Sequence, residues 1–173
     1  EISCSLVGSE MCIRDRSKKI HYKFIDINIL SEAMNSIKIT VPGKSKKKKE
    51  YVNQGLATVG DSILKALIAD DLYKAGFKTK GQITKYKMEL ENNKTLYSIV
   101  IKEGIINYAY NDKHFYSKNN PQHEMVASSK HDTYLEAIVG AVYHDGGFDK
   151  TKLWFNTWLK PLLKKYKQQE EVR

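Results

Sequence analysis

The chain has 173 residues, with 29 Lys and Arg against 20 Asp and Glu and a formal net charge of +9. That length suits one domain large enough to bury a core without staples, and no apolar run approaches the roughly 18 residues that span a bilayer. No signal-peptide pattern is present either, so a soluble cytoplasmic protein is the expectation, and the positive charge points to polyanions, above all nucleic acid or an anionic membrane.

Taken in chain order, the first stretch differs in composition from everything after it. Residues 1–16 hold both cysteines and two of the three arginines. Read back through the genetic code, Leu6 to Arg16 ("LVGSEMCIRDR") matches codon by codon a transposase adapter used in sequencing libraries, and Glu1, Ile2 and part of the Ser5 codon suit its flanking primer. Residues 1–16 are therefore expected to be a non-native, adapter-derived segment, excluded from fold reasoning as a tag would be. Residues 17–173 then form a single domain with 27 basic and 17 acidic residues and no cysteine, which excludes disulfides and thiolate metal sites there.

"YKFIDINILSEAM" (Tyr22 to Met34) places Phe24, Ile27, Leu30 and Met34 on one helical face. "GKSKKKKE" (Gly43 to Glu50) follows Pro42 and reads as an exposed loop, either a solvated linker or a phosphate-contacting segment. In "YVNQGLATVGDSILKALIADDLYKAGF", Ile63, Leu64, Leu67, Ile68 and Leu72 form a stripe that ends near Gly76. "TKGQITKYKMELENNKTLYSIVIKEG" predicts two short helices or one bent helix, punctuated by Asn92-Asn93 and closed by Gly104. "NYAYNDKHFYSKNNPQHEM" reads as loop with at most a turn of helix. "SSKHDTYLEAIVGAVYHDGGF" predicts a helix capped by Ser129 or Asp132 and stopped at Gly146-Gly147; "DKTKLWFNTWLKPLLKKY" predicts another, with Asp149 as its cap. No segment alternates as a strand would, so the fold class is all-α.

Asp61 and Glu136 stand out, each inside a mostly apolar helix and each close to a glycine, Gly60 or Gly140, that permits close backbone approach. A buried carboxylate there is costly unless paired. Asp132 precedes Glu136 by four residues and shares its helical face, so the three acids could converge on a hard cation held by oxygens, with magnesium the natural choice. Such an ion beside a phosphodiester neutralises anionic oxygens and activates water. An ordinary salt bridge to one of the lysines is the competing reading for each acid taken alone. His114, His123, His131 and His144 lack metal-ligand spacing and read as surface or capping residues, with His131 placed to enter a second shell beside Asp132. Trp154 and Trp158, four apart, read as a core stripe rather than a base-stacking platform.

"NQGLATVGDSILKALIADDLY", "TKGQITKYKMELENNKTLYSI" and "DTYLEAIVGAVYHDGGF", with the opening "FIDINILSEAM", resemble in order the blocks of the ribonuclease III catalytic domain over about Phe24 to Leu159. The resemblance implies a ribonuclease III-type helical endonuclease domain. It would act as a homodimer that binds double-stranded or structured RNA and hydrolyses one strand per subunit with magnesium, or manganese as a substitute. It implies no membrane partner. Of the four acids the family places at its metal site, Asp61 and Glu136 match in register; Ala57 and Thr133 occupy the other two positions, and Asp132 lies one residue before Thr133. Thr58 replaces an aromatic residue that packs into the partner subunit in the family. Asp61, Glu136 and Asp132 are thus the expected metal ligands and catalytic residues. Lys46, Lys47, Lys48, Lys49, Lys85 and Lys87 are the expected phosphate contacts, and no double-stranded-RNA-binding domain is expected after the catalytic domain. The alternative is a ribonuclease III fold with impaired catalysis that serves as an RNA-binding or ribosome-associated module.

Overall fold

The computed structural model describes residues 17–35, 38–40, 49–109 and 133–170. Residues 1–16, Lys46 to Lys48, His114, His123, Ser129, His131 and Asp132 lie outside them. Among the described residues the chain runs through α1 (Ile27–Ala33), β1 (Lys38–Thr40), β2 (Lys49–Tyr51), α2 (Gln54–Lys74), α3 (Lys80–Leu90), α4 (Asn93–Lys102), a 3-10 turn (Ile105–Tyr108), α5 (Thr133–Trp154), a π-helical stretch (Phe155–Leu159) and α6 (Lys160–Glu170). The all-α expectation holds, with one small addition. β1 and β2 pair antiparallel, Ile39 opposite Glu50, so the end of the lysine-rich run is strand rather than loop. Strands of three residues are too short to leave a readable period of two.

Helix α5 is the centre of the core. Tyr134, Leu135, Ala137 to Val142 are all buried, which is the mark of a helix covered on every side. It packs most extensively on α2, with α1 and α4 on its other flanks. Helix α2 buries Leu56, Ala57, Gly60, Leu64, Leu67, Ile68 and Leu72, a stripe at helical spacing that matches the sequence pattern. Beyond its last turn Gly76 takes φ 102°, a left-handed conformation that favours glycine, and the Phe77 amide donates back to the Leu72 carbonyl.

Local chemistry sets the helix ends. Helix α1 begins at Ile27 rather than Tyr22 because Asp26 is extended and its carboxylate accepts the Asn28 amide at 2.9 Å. Thr79 and Gln82 form a reciprocal capping box that opens α3. Asn92 separates α3 from α4: its Nδ2 donates to the Glu89 carbonyl at 3.1 Å, and its Oδ1 accepts the Thr95 amide at 2.8 Å. The sequence-predicted stop near Gly146-Gly147 is a break inside α5, where Gly147 adopts φ 73° and ψ −179°. Asp149 lies in the first turn after that break. Trp154 and Trp158 are buried with rings stacked 5.2 Å apart, and Trp154 Nε1 donates to the Ile20 carbonyl at 2.7 Å, as a core stripe requires.

Asp145 fastens the segment before α1 to α5. Its carboxylate accepts the Ile25 amide at 2.9 Å, the Asp26 amide at 2.8 Å and the Tyr22 hydroxyl at 2.9 Å. Burial, and then the Asp145 hydrogen bond and charge, push the Tyr22 phenol above its ordinary value. The residues leading into α1 are thereby held against α5 across 120 residues of chain.

Candidate active site

The site is built where α2 crosses α5. A Cβ placed on Gly60 would lie 1.7 Å from the Glu136 carbonyl oxygen, and one on Gly140 would lie 2.2 Å from the Leu56 carbonyl oxygen. The two backbones therefore touch, and only glycine at both positions permits it. Asp61 follows Gly60 on one helix and Glu136 precedes Gly140 by one turn on the other, so the crossing itself brings the two acids into one neighbourhood.

Asp61 is not buried as its apolar sequence context suggests. Its side chain is 35% exposed and accepts a hydrogen bond from Lys65 Nζ at 2.7 Å. The reason is rotational: Gly60, Leu64, Leu67 and Ile68 turn toward α5, while Asp61 and Lys65 occupy the adjoining face one turn apart. Glu136 is half-buried on α5. The hydrogen bond to Asp61 is the first cause that holds the Lys65 ammonium above its ordinary value; the charges of Asp61, Glu91 and Glu136 push the same way, and desolvation opposes them. Three carboxylates, from α2, from the end of α3 and from α5, thus act on one lysine.

Ala57 is 3% exposed, so the position one turn before Asp61 is closed by packing. Thr133 opens α5 and is half-buried. Asp61 and Glu136 supply hard oxygen donors of the kind a magnesium or manganese ion takes. Among the described residues, however, no three His, Cys, Asp or Glu side chains gather closely enough to hold a metal ion. Asp132, the third sequence candidate, is outside those residues.

Of the expected phosphate contacts, Lys85 is exposed, its ammonium 6.0 Å from the centre of the Tyr86 ring. Lys87 is largely covered and donates to both Glu91 oxygens, at 3.1 and 3.2 Å. Lys49 lies in β2. His144 is exposed beside Tyr143, consistent with a surface residue. Lys65 and Glu91 carry no distinctive signal in the sequence. They belong to i,i+4 pairs of opposite charge, Asp61 with Lys65 and Lys87 with Glu91, which are common on solvated helices and so carry little weight unaided.

A Ribonuclease III domain model matches residues 54–147, more than half of the chain. The chain belongs to the ribonuclease III family. Ribonuclease 3 of Fusobacterium nucleatum is 24% identical over 160 residues, spanning 91% of this chain and 65% of that protein. Ribonuclease 3 of Desulfotalea psychrophila is 27% identical over 156 residues, spanning 87% of this chain and 60% of that protein. The chain therefore spans less than two thirds of these relatives' length. Two solved structures of the nuclease domain of ribonuclease III from Campylobacter jejuni share its fold. They have TM-scores of 0.66 and 0.64 at 24% and 25% identity, and cover 89% and 88% of this chain and 97% and 94% of theirs. The first of them is described for structural flexibility in a region involved in dimer formation. Among the described residues no helix is long and apolar enough to cross a membrane.

Proposed function

We propose that the protein is an endoribonuclease that cleaves double-stranded or structured RNA by divalent-metal-dependent phosphodiester hydrolysis, with magnesium the resident ion. The observation that supports this reading is the Gly60–Gly140 crossing, a backbone contact between the two helix segments that carry the family-matched acids Asp61 and Glu136. These two would hold the ion, with Asp132 as an adjusted third ligand, and the ion would supply charge neutralisation at the phosphate and an activated water. Lys85 and the Lys46 to Lys49 run would meet RNA phosphates, in keeping with the shape- and charge-based recognition of A-form duplexes. A homodimer would present two such sites to the two strands of one duplex.

Asp61→Asn and Glu136→Gln keep side-chain volume and remove the charge a hard cation requires. Each is expected to abolish magnesium-dependent cleavage of long duplex RNA, and Asp61→Asn to leave the thermal midpoint within about 2 °C, because Asp61 makes a surface pair. Full activity in both variants would refute the reading. The second reading, an RNA-binding module with impaired catalysis, is favoured by the closed methyl at Ala57 and by the ammonium seated on Asp61. It predicts duplex binding without cleavage in the unaltered protein.

A further inference from the structure

Asp61, one of the two family-matched acids, already has a cation. Lys65 Nζ sits 2.7 Å from Asp61 Oδ2, on the same face of α2 and one turn further along. The charges of Glu91, at the end of α3, and of Glu136, across the helix crossing, act on the same ammonium in the direction that Asp61 does. Carboxylates collected without a counter-charge repel each other; Lys65 relieves that repulsion in the metal-free protein. Its side chain is 45% exposed, which leaves the ammonium room to swing into solvent, and an exposed i,i+4 pair of this type costs little to open.

We propose that Lys65 is a built-in competitor for the metal at Asp61: a divalent cation reaches that carboxylate only as the ammonium swings away, so Lys65 sets the metal concentration at which the site loads. This rests on the reading of Asp61 as a metal ligand. After displacement the ammonium remains tethered close by. A single charge held about 6 Å from a divalent ion in a water-like dielectric changes its affinity about tenfold.

The test is a titration of the full chain with manganese alone, read by the loss of the free-ion electron paramagnetic resonance signal. Lys65→Met keeps the aliphatic stem and removes the charge, and is expected to bind manganese about tenfold more tightly than the unaltered protein. Lys65→Arg keeps the charge and should stay within about twofold. Adding Asp61→Asn to Lys65→Met should erase the gain. The inference is overturned if Lys65→Met binds no more tightly than the unaltered protein, if Lys65→Arg tightens binding equally, if the gain survives Asp61→Asn, or if neither protein binds manganese. A duplex-RNA assay separates the two levels. Tighter manganese binding without cleavage in either protein upholds the role of Lys65 and removes the proposed activity; cleavage with unchanged manganese affinity does the reverse.

Discussion

Replacing Gly60 by alanine probes the contact on which the candidate site depends. The new Cβ would stand 1.7 Å from the Glu136 carbonyl oxygen and 2.7 Å from both the Glu136 carbonyl carbon and the Gly140 nitrogen, whereas real Cβ atoms essentially never approach within 3.0 Å. Every obstacle is helix backbone, so no rotamer change relieves the overlap, and α2 must move away from α5 by more than an ångström. A gap of 0.5–1 Å forfeits roughly a quarter to a half of the dispersion well of each atom pair it opens. The seam in question includes Leu56, Leu64, Leu67 and Ile68. Overpacking of this kind costs about 1–3 kcal/mol and occasionally more; a backbone-on-backbone clash belongs at the upper end, about 4 kcal/mol. Alanine recovers about 1 kcal/mol of helix propensity. The net loss is about 3 kcal/mol, or a fall of roughly 6–12 °C in thermal midpoint for a domain of this size. Gly81→Ala is the control, since nothing lies within 4 Å of its added Cβ in the exposed first turn of α3; it should be neutral or stabilise by up to about 1 kcal/mol. Urea unfolding of the three proteins measures both effects. A Gly60→Ala midpoint equal to or above that of the unaltered protein would refute the close crossing and the placement of Asp61 and Glu136 that follows from it.

Asp145→Ala removes the acceptor for two backbone amides and the Tyr22 hydroxyl. It is expected to cost about 2 kcal/mol and to raise amide exchange selectively in α1; unchanged exchange there would show that the anchor is not needed. Glu103 gives a pH signature, because the Tyr166 hydroxyl at 2.5 Å is the first cause that holds its carboxyl below the ordinary 4.5, with Lys165 at 3.3 Å also lowering it against desolvation. A carboxylate depressed in the folded state contributes stability above its unfolded value and loses it as pH falls through the folded one. The stability difference between the unaltered protein and Glu103→Gln, about 1 kcal/mol at neutral pH, should therefore shrink as pH falls below the ordinary 4.5 and through the lowered folded value. Tyr166→Phe should bring that loss to higher pH, and a difference that does not vary with pH would count against the assignment.

Much of this fold is legible in residue order because its signals are local. The apolar stripe of α2, the stop after Lys74, the Asn92 break between α3 and α4 and the Gly147 break in α5 each rest on a few neighbouring residues whose conformational preferences agree with the packing. The start of α1 was less legible. Tyr22 to Asp26 carry helical spacing, yet Asp145 and the Asp26 cap claim their backbone from outside the segment. The site follows the same division. Asp61 and Glu136 are visible as acids beside glycines, but apolar neighbours in sequence do not imply burial: on a helix the next residue turns by about 100°, enough to bring Asp61 to the surface while Gly60 meets α5. The involvement of Glu91 depends on how α3 ends beside α2, which no spacing along the chain encodes.

The departures at the site are of two physical kinds, and they act on different quantities. Ala57 places a buried methyl group where the family resemblance calls for an acid. If Asp61 and Glu136 are ligands, that change removes a donor, and raising the metal concentration does not restore it; the effect falls on the geometry and charge of the loaded site. Lys65 removes no donor. Its ammonium competes for Asp61 in the unloaded state and can leave for solvent, so by mass action enough metal overcomes it. A site limited by Lys65 reaches its full rate at high metal, whereas a site limited by Ala57 stays slow at saturation. The dependence of cleavage on metal concentration, taken to its plateau, therefore separates an endonuclease with a raised metal threshold from a fold that has surrendered the chemistry.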